Sequence, residues 1–117
     1  MEGKLCLITG ATDGIGKETA KCLAGFNARL ILVGRDQSKG DSVRNELMAQ
    51  TGNDRIDIMT ADLSTMSAIQ KLSVEIYEKY NKLNVLINNV GALFVKREIT
   101  DEGFEKTFAL NHLGYFL

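Results

Sequence analysis

Leu5-Cys6-Leu7-Ile8 is an apolar run that ends at Thr9, and three glycines follow at Gly10, Gly14 and Gly16 before Lys17 to Ala24 reads as a helix. No other stretch limits the fold so strongly. A strand that passes through a glycine-rich turn straight into a helix directs the unpaired N–H groups of that helix towards an anionic ligand. Glycine suits the turn because backbone must come close to a pyrophosphate and the helix must pack tightly on its strand. A side chain at any of the three positions is expected to stand in the way. The spacing is G-x-x-x-G-x-G, not the common dinucleotide fingerprint G-x-G-x-x-G. These residues alone allow a purely steric turn as well as a nucleotide-binding loop, and the surrounding pattern favours the second.

That pattern is an unbroken alternation. Ala28-Arg29-Leu30-Ile31-Leu32-Val33 is nearly all apolar, as in a parallel strand covered on both faces, and Gly34-Arg35-Asp36 ends it. Residues 37–50 form a charged amphipathic helix with Val43 and Leu47 on its buried side, stopped by Thr51-Gly52-Asn53. A short strand, Ile56 to Thr60, precedes Ala61-Asp62-Leu63. Ser64 or Thr65 is expected to cap a third helix that runs to about Tyr80 on an Ile69, Leu72 and Ile76 stripe. A fourth strand, Leu83 to Ile87, leads into Asn88-Asn89-Val90-Gly91. Thr100 then caps a last helix with Asp101 and Glu102 in its first turn, where they favour the dipole. Such an order predicts an α/β fold, a doubly wound parallel sheet of the Rossmann type with strand order 3-2-1-4. The crevice at the switch point between strands 1 and 4 receives both the glycine turn and Asn88 to Gly91.

Bulk properties narrow the classes further. A chain of 117 residues with net charge −1 fits one domain and carries no overall basic field for nucleic acid or anionic lipid. No apolar run approaches the ~18 residues of a membrane span. The residues before the first strand leave no room for a leader peptide, so a cytoplasmic location is expected. Cys6 and Cys22 have no metal-ligand spacing and both read as small buried apolar residues; His112 has no ligand partner either, so no metal site is expected. The chain stops on Asn111-His112-Leu113-Gly114-Tyr115-Phe116-Leu117, within a helical pattern, and its fourth strand is left as an open apolar edge. A larger domain cut short is the expectation.

Thr9-Gly10-Ala11-Thr12-Asp13-Gly14-Ile15-Gly16 resembles the T-G-x-x-x-G-I-G motif of the short-chain dehydrogenase/reductase family. Asp62-Leu63 is similar to that family's adenine-side acidic segment, Asn88-Asn89-Val90-Gly91 to its N-N-A-G motif, and Asn111-His112-Leu113-Gly114 to its catalytic-asparagine segment. The wording of residues 16–20, 85–89 and 111–116 is nearest the retinol-dehydrogenase-like branch. The resemblance covers essentially the whole chain but only the amino-terminal, cofactor half of the family's domain. It implies that Gly10, Thr12, Asp13, Gly14, Ile15 and Gly16 hold the ribose and phosphates of a dinucleotide. It implies that Asp62 binds the adenine amino group, Leu63 packs on the ring, Asn89 and Gly91 lie along a ribose, and Asn111 holds a water in a proton relay. Each has a plainer alternative: Asp62 as an acid ahead of a helix, Asn88-Asn89 as a turn, and Asn111 as a satisfied core amide on the Phe104 and Phe108 face.

Cofactor choice turns on the end of the second strand. Gly34 stands where NAD-preferring relatives carry an acid, and the guanidinium of Arg35 suits a 2′-phosphate. Asp36 falls about twenty residues beyond the last glycine, where the acid of NAD sites is expected, but reads as opening the next helix. NADP is therefore preferred over NAD, with Asp13 in the glycine turn as a feature against it. The family's chemistry needs a Ser and a Tyr-x-x-x-Lys. Tyr77 and Tyr80 have Asn81 and Asn84 four residues on, and Tyr115 runs off the end. The resemblance thus implies an NADP-dependent oxidoreductase of an alcohol or ketone, retinoid- or steroid-like by branch, with this chain inactive by itself. It also implies a homo-oligomer contact through the helix starting at Thr100. The alternative is a truncated, non-catalytic product that binds nucleotide or a partner.

Overall fold

Leu30-Ile31-Leu32-Val33 has no polar side chain, so neither face of that strand can be left to water, and it lies in the interior of the sheet. The computed structural model describes residues 1–90, 99–100 and 102–103. It contains β1 (Leu5–Thr9), α1 (Gly14–Gly25), β2 (Arg29–Gly34), α2 (Gln37–Thr51), β3 (Ile56–Thr60), α3 (Met66–Lys79) and β4 (Val85–Ile87). All strand pairs are parallel, in the order β3-β2-β1-β4 expected from the alternation. Ile8 is the register point at which the sheet meets the switch: it lies beside Leu32 on one side and Ile87 on the other.

Alternate strand residues feed two cores. Cys6, Ile8, Leu30, Leu32 and Ile56 pack against Ala20, Ala24, Val43 and Leu47 of α1 and α2. Leu5, Leu7, Ile31 and Val33 pack on the other face against Leu63, Ile69 and Leu72. Full burial of a side chain such as Ile31 or Leu32 stabilises by about 1.5–3 kcal/mol. The buried face of α1 is Gly16, Ala20 and Ala24, a row of small residues at i, i+4, i+8 that lets the helix lie close to the sheet. Cys22, expected to be buried, is exposed. It follows Ala20 by two positions, which turns it to the far side of the helix.

The helix ends show which signals were local. Asp36 caps α2, its carboxylate accepting the Lys39 N–H at 3.2 Å, and Gly52 closes the helix with φ 73°. Helix α1 begins at Gly14, inside the glycine turn and three residues ahead of the expected start. Thr65 sits at the N-cap of α3 but supplies no side-chain cap; its hydroxyl donates to the Asp62 carbonyl instead, at 3.1 Å. The first N–H groups of α3 donate to Glu102, with Ser67 N to Oε2 at 3.1 Å and Met66 N to Oε1. Glu102 therefore serves the N-terminus of α3. The expected helix after Thr100, with Phe104 and Phe108, lies outside the described residues, as do Gly91, Asn111, His112 and Tyr115.

Candidate functional site

The carboxyl ends of β1 and β4 are tied together by one hydroxyl and one amide. Thr9 Oγ1 accepts the N–H groups of Asn89 and Val90 at 3.0 and 3.1 Å and donates to the Ile87 carbonyl at 3.4 Å. Asn89 Nδ2 donates to the carbonyls of Thr9 and Gly10, both at 3.1 Å. A carbonyl at the end of a strand beside a glycine turn has no ladder partner of its own, and these amide protons supply one. Asn89 thus points inwards and braces the glycine turn. Residues 80 positions apart in sequence make one rigid platform.

On that platform the three glycines do different work. Gly10 has φ +67°, and a Cβ there would lie 2.9 Å from the Val90 Cα. A Cβ on Gly16 would lie 2.4 Å from both the Gly10 carbonyl oxygen and Asn89 Nδ2. At Gly14, with φ +58°, an added Cβ would meet no protein atom within 4 Å. Of the two reasons expected for these glycines, close approach of a ligand and tight packing, the packing contacts are seen at Gly10 and Gly16. Gly10 and Gly16 are small because the protein's own backbone and the Asn89 amide fill the space. Gly14 is the one that opens onto the cleft, with a backbone that L side chains rarely adopt. The turn leads directly into the N-terminus of α1, the end of a helix that suits an anion, and an added Cβ on Gly14 would meet nothing within 4 Å.

The cleft brings together Gly10, Thr12, Asp13, Gly14, Ile15, Arg35, Asp62, Leu63 and Asn89, nine of the ten described residues expected to hold the cofactor. Gly16 is buried beneath them. Ile15 is 80% exposed at the mouth. Thr12 turns its methyl towards Gly34, where a Cβ would stand 3.0 Å away, so a packing contact as well as any ligand keeps that position small. Arg35 is exposed, with no ion-pair partner among the described residues. Leu63 is buried in the α3-side core and also lines the cleft. Asp62 organises the turn ahead of α3: its Oδ1 accepts from Ser64 N at 3.0 Å and from Ser64 Oγ at 2.7 Å. Its plainer role is therefore real, whatever else it does.

Lys39 was not foreseen. It lies in the first turn of α2, and its Nζ donates to Asp13 Oδ2 at 2.5 Å across the cleft. This pairing, with a smaller contribution from Lys17, holds the Asp13 carboxyl below its ordinary range. A cation at a helix N-terminus opposes the helix dipole and needs an anion near it, which is the sequence signal that could have pointed to Lys39. Among the described residues no cluster of His, Cys, Asp or Glu could hold a metal ion, and no helix is long and apolar enough to cross a membrane.

The family model described as short chain dehydrogenase matches residues 4–117. Retinol dehydrogenase 12 of Mus musculus is 42% identical over 115 residues, 98% of this chain and 36% of the relative. Polyprenol dehydrogenase of Homo sapiens is 39% identical over 114 residues, 97% of this chain and 34% of the relative. Among solved structures, a metagenomic short-chain oxidoreductase in complex with NADP superposes with a TM-score of 0.84 at 26% identity, over 99% of this chain and 53% of that one. A short-chain dehydrogenase from Sphingobium yanoikuyae in complex with NADPH gives 0.80 at 28% identity, over 97% and 44%. The chain spans about a third of the length of the curated relatives it matches. With its 3-2-1-4 sheet, its glycine turn and these relatives, the chain belongs to the short-chain dehydrogenase family, in the retinol-dehydrogenase-like branch, and corresponds to the amino-terminal part of that fold.

Proposed function

We propose that residues 1–117 are the cofactor half of an NADP-dependent oxidoreductase that moves hydride between nicotinamide and an alcohol or ketone. The observation that carries this is one cleft lined both by the Gly14 turn, which the Thr9–Asn89 platform braces, and by Arg35, which has no ion-pair partner among the described residues. The nicotinamide would supply the hydride chemistry. The chain's own residues bind and orient. The Gly10 to Gly16 turn, with Thr12, Asp13 and Ile15, holds ribose and pyrophosphate at the start of α1, and Asp62 and Leu63 take the adenine. Arg35 takes the 2′-phosphate, in line with the NADPH and NADP complexes of the two structural neighbours. Asn89 and Gly91 line a ribose, and Asn111 holds the relay water. The names of the relatives, retinol and polyprenol dehydrogenases, favour a long apolar alcohol as substrate.

Tyr77 and Tyr80 have Asn81 and Asn84 four residues on, so neither fits the Tyr-x-x-x-Lys pair by which such chemistry moves its proton. A cytoplasmic location and a homo-oligomer contact after Thr100 go with this reading. Titration with NADPH and NADH tests it: the chain binds NADPH more tightly, and Arg35→Asp reverses the preference. Equal affinities, unchanged by that substitution, overturn it. One observation favours a second reading, a partner-binding product without catalysis: among the described residues β4 lies at the edge of the sheet, and its Leu86 is 54% exposed. Concentration-dependent association in sedimentation, with no nucleotide binding, would support that reading instead.

A further inference from the structure

The strands are parallel, so α1, α2 and α3 all start at the same end of the sheet, and their first N–H groups are served differently. At α2 the cap is local, the Asp36 carboxylate accepting the Lys39 N–H at 3.2 Å. At α1 the N-cap residue, Asp13, makes no side-chain bond to the helix. At α3 the carboxylate comes from a distance. Glu102 accepts from Met66 N through Oε1 and from Ser67 N through Oε2 at 3.1 Å, 36 and 35 positions away. A tight turn presents it, closed by the Gly103 N–H donating to the Thr100 carbonyl at 2.9 Å with Gly103 at φ +86°. The approach to α3 uses its own polar groups otherwise: Thr65 Oγ1 donates to the Asp62 carbonyl, and Ser64 bonds Asp62 Oδ1 through both N and Oγ. Asp62, Leu63 and Ser64 line the cofactor cleft and Glu102 does not. The start of α3 is therefore continuous with one wall of the cleft, and Glu102 is what holds that start.

We infer that Glu102 is a positioning residue for the adenine ring: its carboxylate fixes the first turn of α3 and, through it, the Asp62–Leu63 wall against which the ring lies. This rests on the adenine reading of Asp62 and Leu63 given above. A helix N-terminus without an anion attracts one, and a dinucleotide carries its phosphates close to a neutral ring. With carboxylates bonded at α2 and α3, α1 is the helix start left for the pyrophosphate, and the wall at α3 takes the uncharged ring. Without Glu102 the Met66 and Ser67 N–H groups must turn to water, and the turn over residues 62–65, which runs straight into them, loses its fixed end. Asp62 then no longer meets the adenine amino group at one defined place. The loss falls on recognition of the base, because Glu102 has no contact with the glycine turn.

The test reads recognition of the base. NADPH and its hypoxanthine analogue, in which a carbonyl replaces the adenine amino group, are titrated by fluorescence against the chain, Glu102→Ala, Glu102→Gln and Asp62→Ala. The parent chain is expected to prefer NADPH by about tenfold, the worth of a hydrogen bond to a charged acceptor. Glu102→Ala is expected to reduce that preference to about twofold by weakening NADPH, while affinity for the analogue changes by less than about twofold. Glu102→Gln retains one acceptor oxygen and is expected to fall between the two. A purely structural cap would weaken both dinucleotides alike, and that result overturns the proposal, as does an unchanged preference in Glu102→Ala. If Asp62→Ala loses the preference and Glu102→Ala retains it, the adenine reading stands and the positioning role falls. If the parent chain does not distinguish the two dinucleotides, both fall together. Should Glu102→Ala not fold, Glu102→Gln decides: a preference below the parent's supports the role, and an equal one refutes it.

Discussion

Gly16→Ala isolates the reason the glycine turn is glycine. The new Cβ would lie 2.4 Å from the Gly10 carbonyl oxygen and 2.4 Å from Asn89 Nδ2, about 1 Å inside ordinary contact. The first neighbour is backbone and the second is an amide held by two hydrogen bonds, so neither yields as a free side chain would. Overpacking of this kind costs about 1–3 kcal/mol. Moving Asn89 weakens its two bonds, each with a net value of about 1 kcal/mol. Alanine's better helix propensity returns about 0.5–1 kcal/mol. The expected loss is therefore about 2–4 kcal/mol. With a urea m-value of about 1–3 kcal/mol/M, the midpoint falls by about 1 M or more, if the chain still folds. Two companions make the result interpretable. Gly25→Ala, which meets nothing within 4 Å, should be neutral or stabilise by up to about 1 kcal/mol. Gly14→Ala also meets nothing but has φ +58°, and should lose about 1–2 kcal/mol of stability together with NADPH affinity. Equal midpoints for Gly16→Ala and Gly25→Ala would refute the packing argument.

Thr9→Val keeps the shape and removes the hydroxyl, leaving the Asn89 and Val90 N–H groups without their acceptor. A loss of about 2–3 kcal/mol in denaturant titration is expected, with nucleotide binding weakened; an unchanged midpoint would show that the platform is not held by this hydroxyl. Tyr80 is a separate probe at the other end of the sheet. Burial, and then the bond from its hydroxyl to the Asp57 carboxylate, push its phenol above the usual tyrosine range, while nearby Arg29 works the other way. A folded pKa above the unfolded one contributes stability that is complete below about pH 10 and is lost as pH rises beyond it. Absorbance at 295 nm should therefore show the ionisation step in the usual tyrosine range unchanged by Tyr80→Phe, since Tyr80 ionises above that range. Loss of that step in Tyr80→Phe would contradict the shift.

The strands and their order were legible because each signal is local. Four apolar residues in a row at Leu30 to Val33 admit only a strand covered on both faces, and right-handed crossovers then leave one arrangement for β1 to β4. Gly52 and Asp36 likewise announced the ends of α2 through their own backbone and side chain. The cap of α3 was not legible in the same way. Thr65 looks like a cap, but its hydroxyl is used by the Asp62 carbonyl, and the helix takes its anion from Glu102, 36 positions away. Cys22 was misjudged because an apolar residue on a helix says nothing of its face until the row of Gly16, Ala20 and Ala24 settles against the sheet.

The site divides along the same line. Three glycines after an apolar strand specify a turn into a helix N-terminus, since only glycine tolerates both the positive φ and the close approach. Which glycine faces the cleft and which faces the protein was decided by Asn89 and Val90 crossing from β4 to seat against Gly10 and Gly16. The same is true of Lys39, whose sequence neighbours give it no partner and whose counter-charge, Asp13, arrives only when β1 and β2 pair and bring the two loops to one end of the sheet. Short-range steric and hydrophobic rules are written in consecutive residues and can be read from them. Contacts between groups 26 or 80 positions apart depend on register and on the angle at which each loop leaves its strand, and those exist only once the sheet has formed.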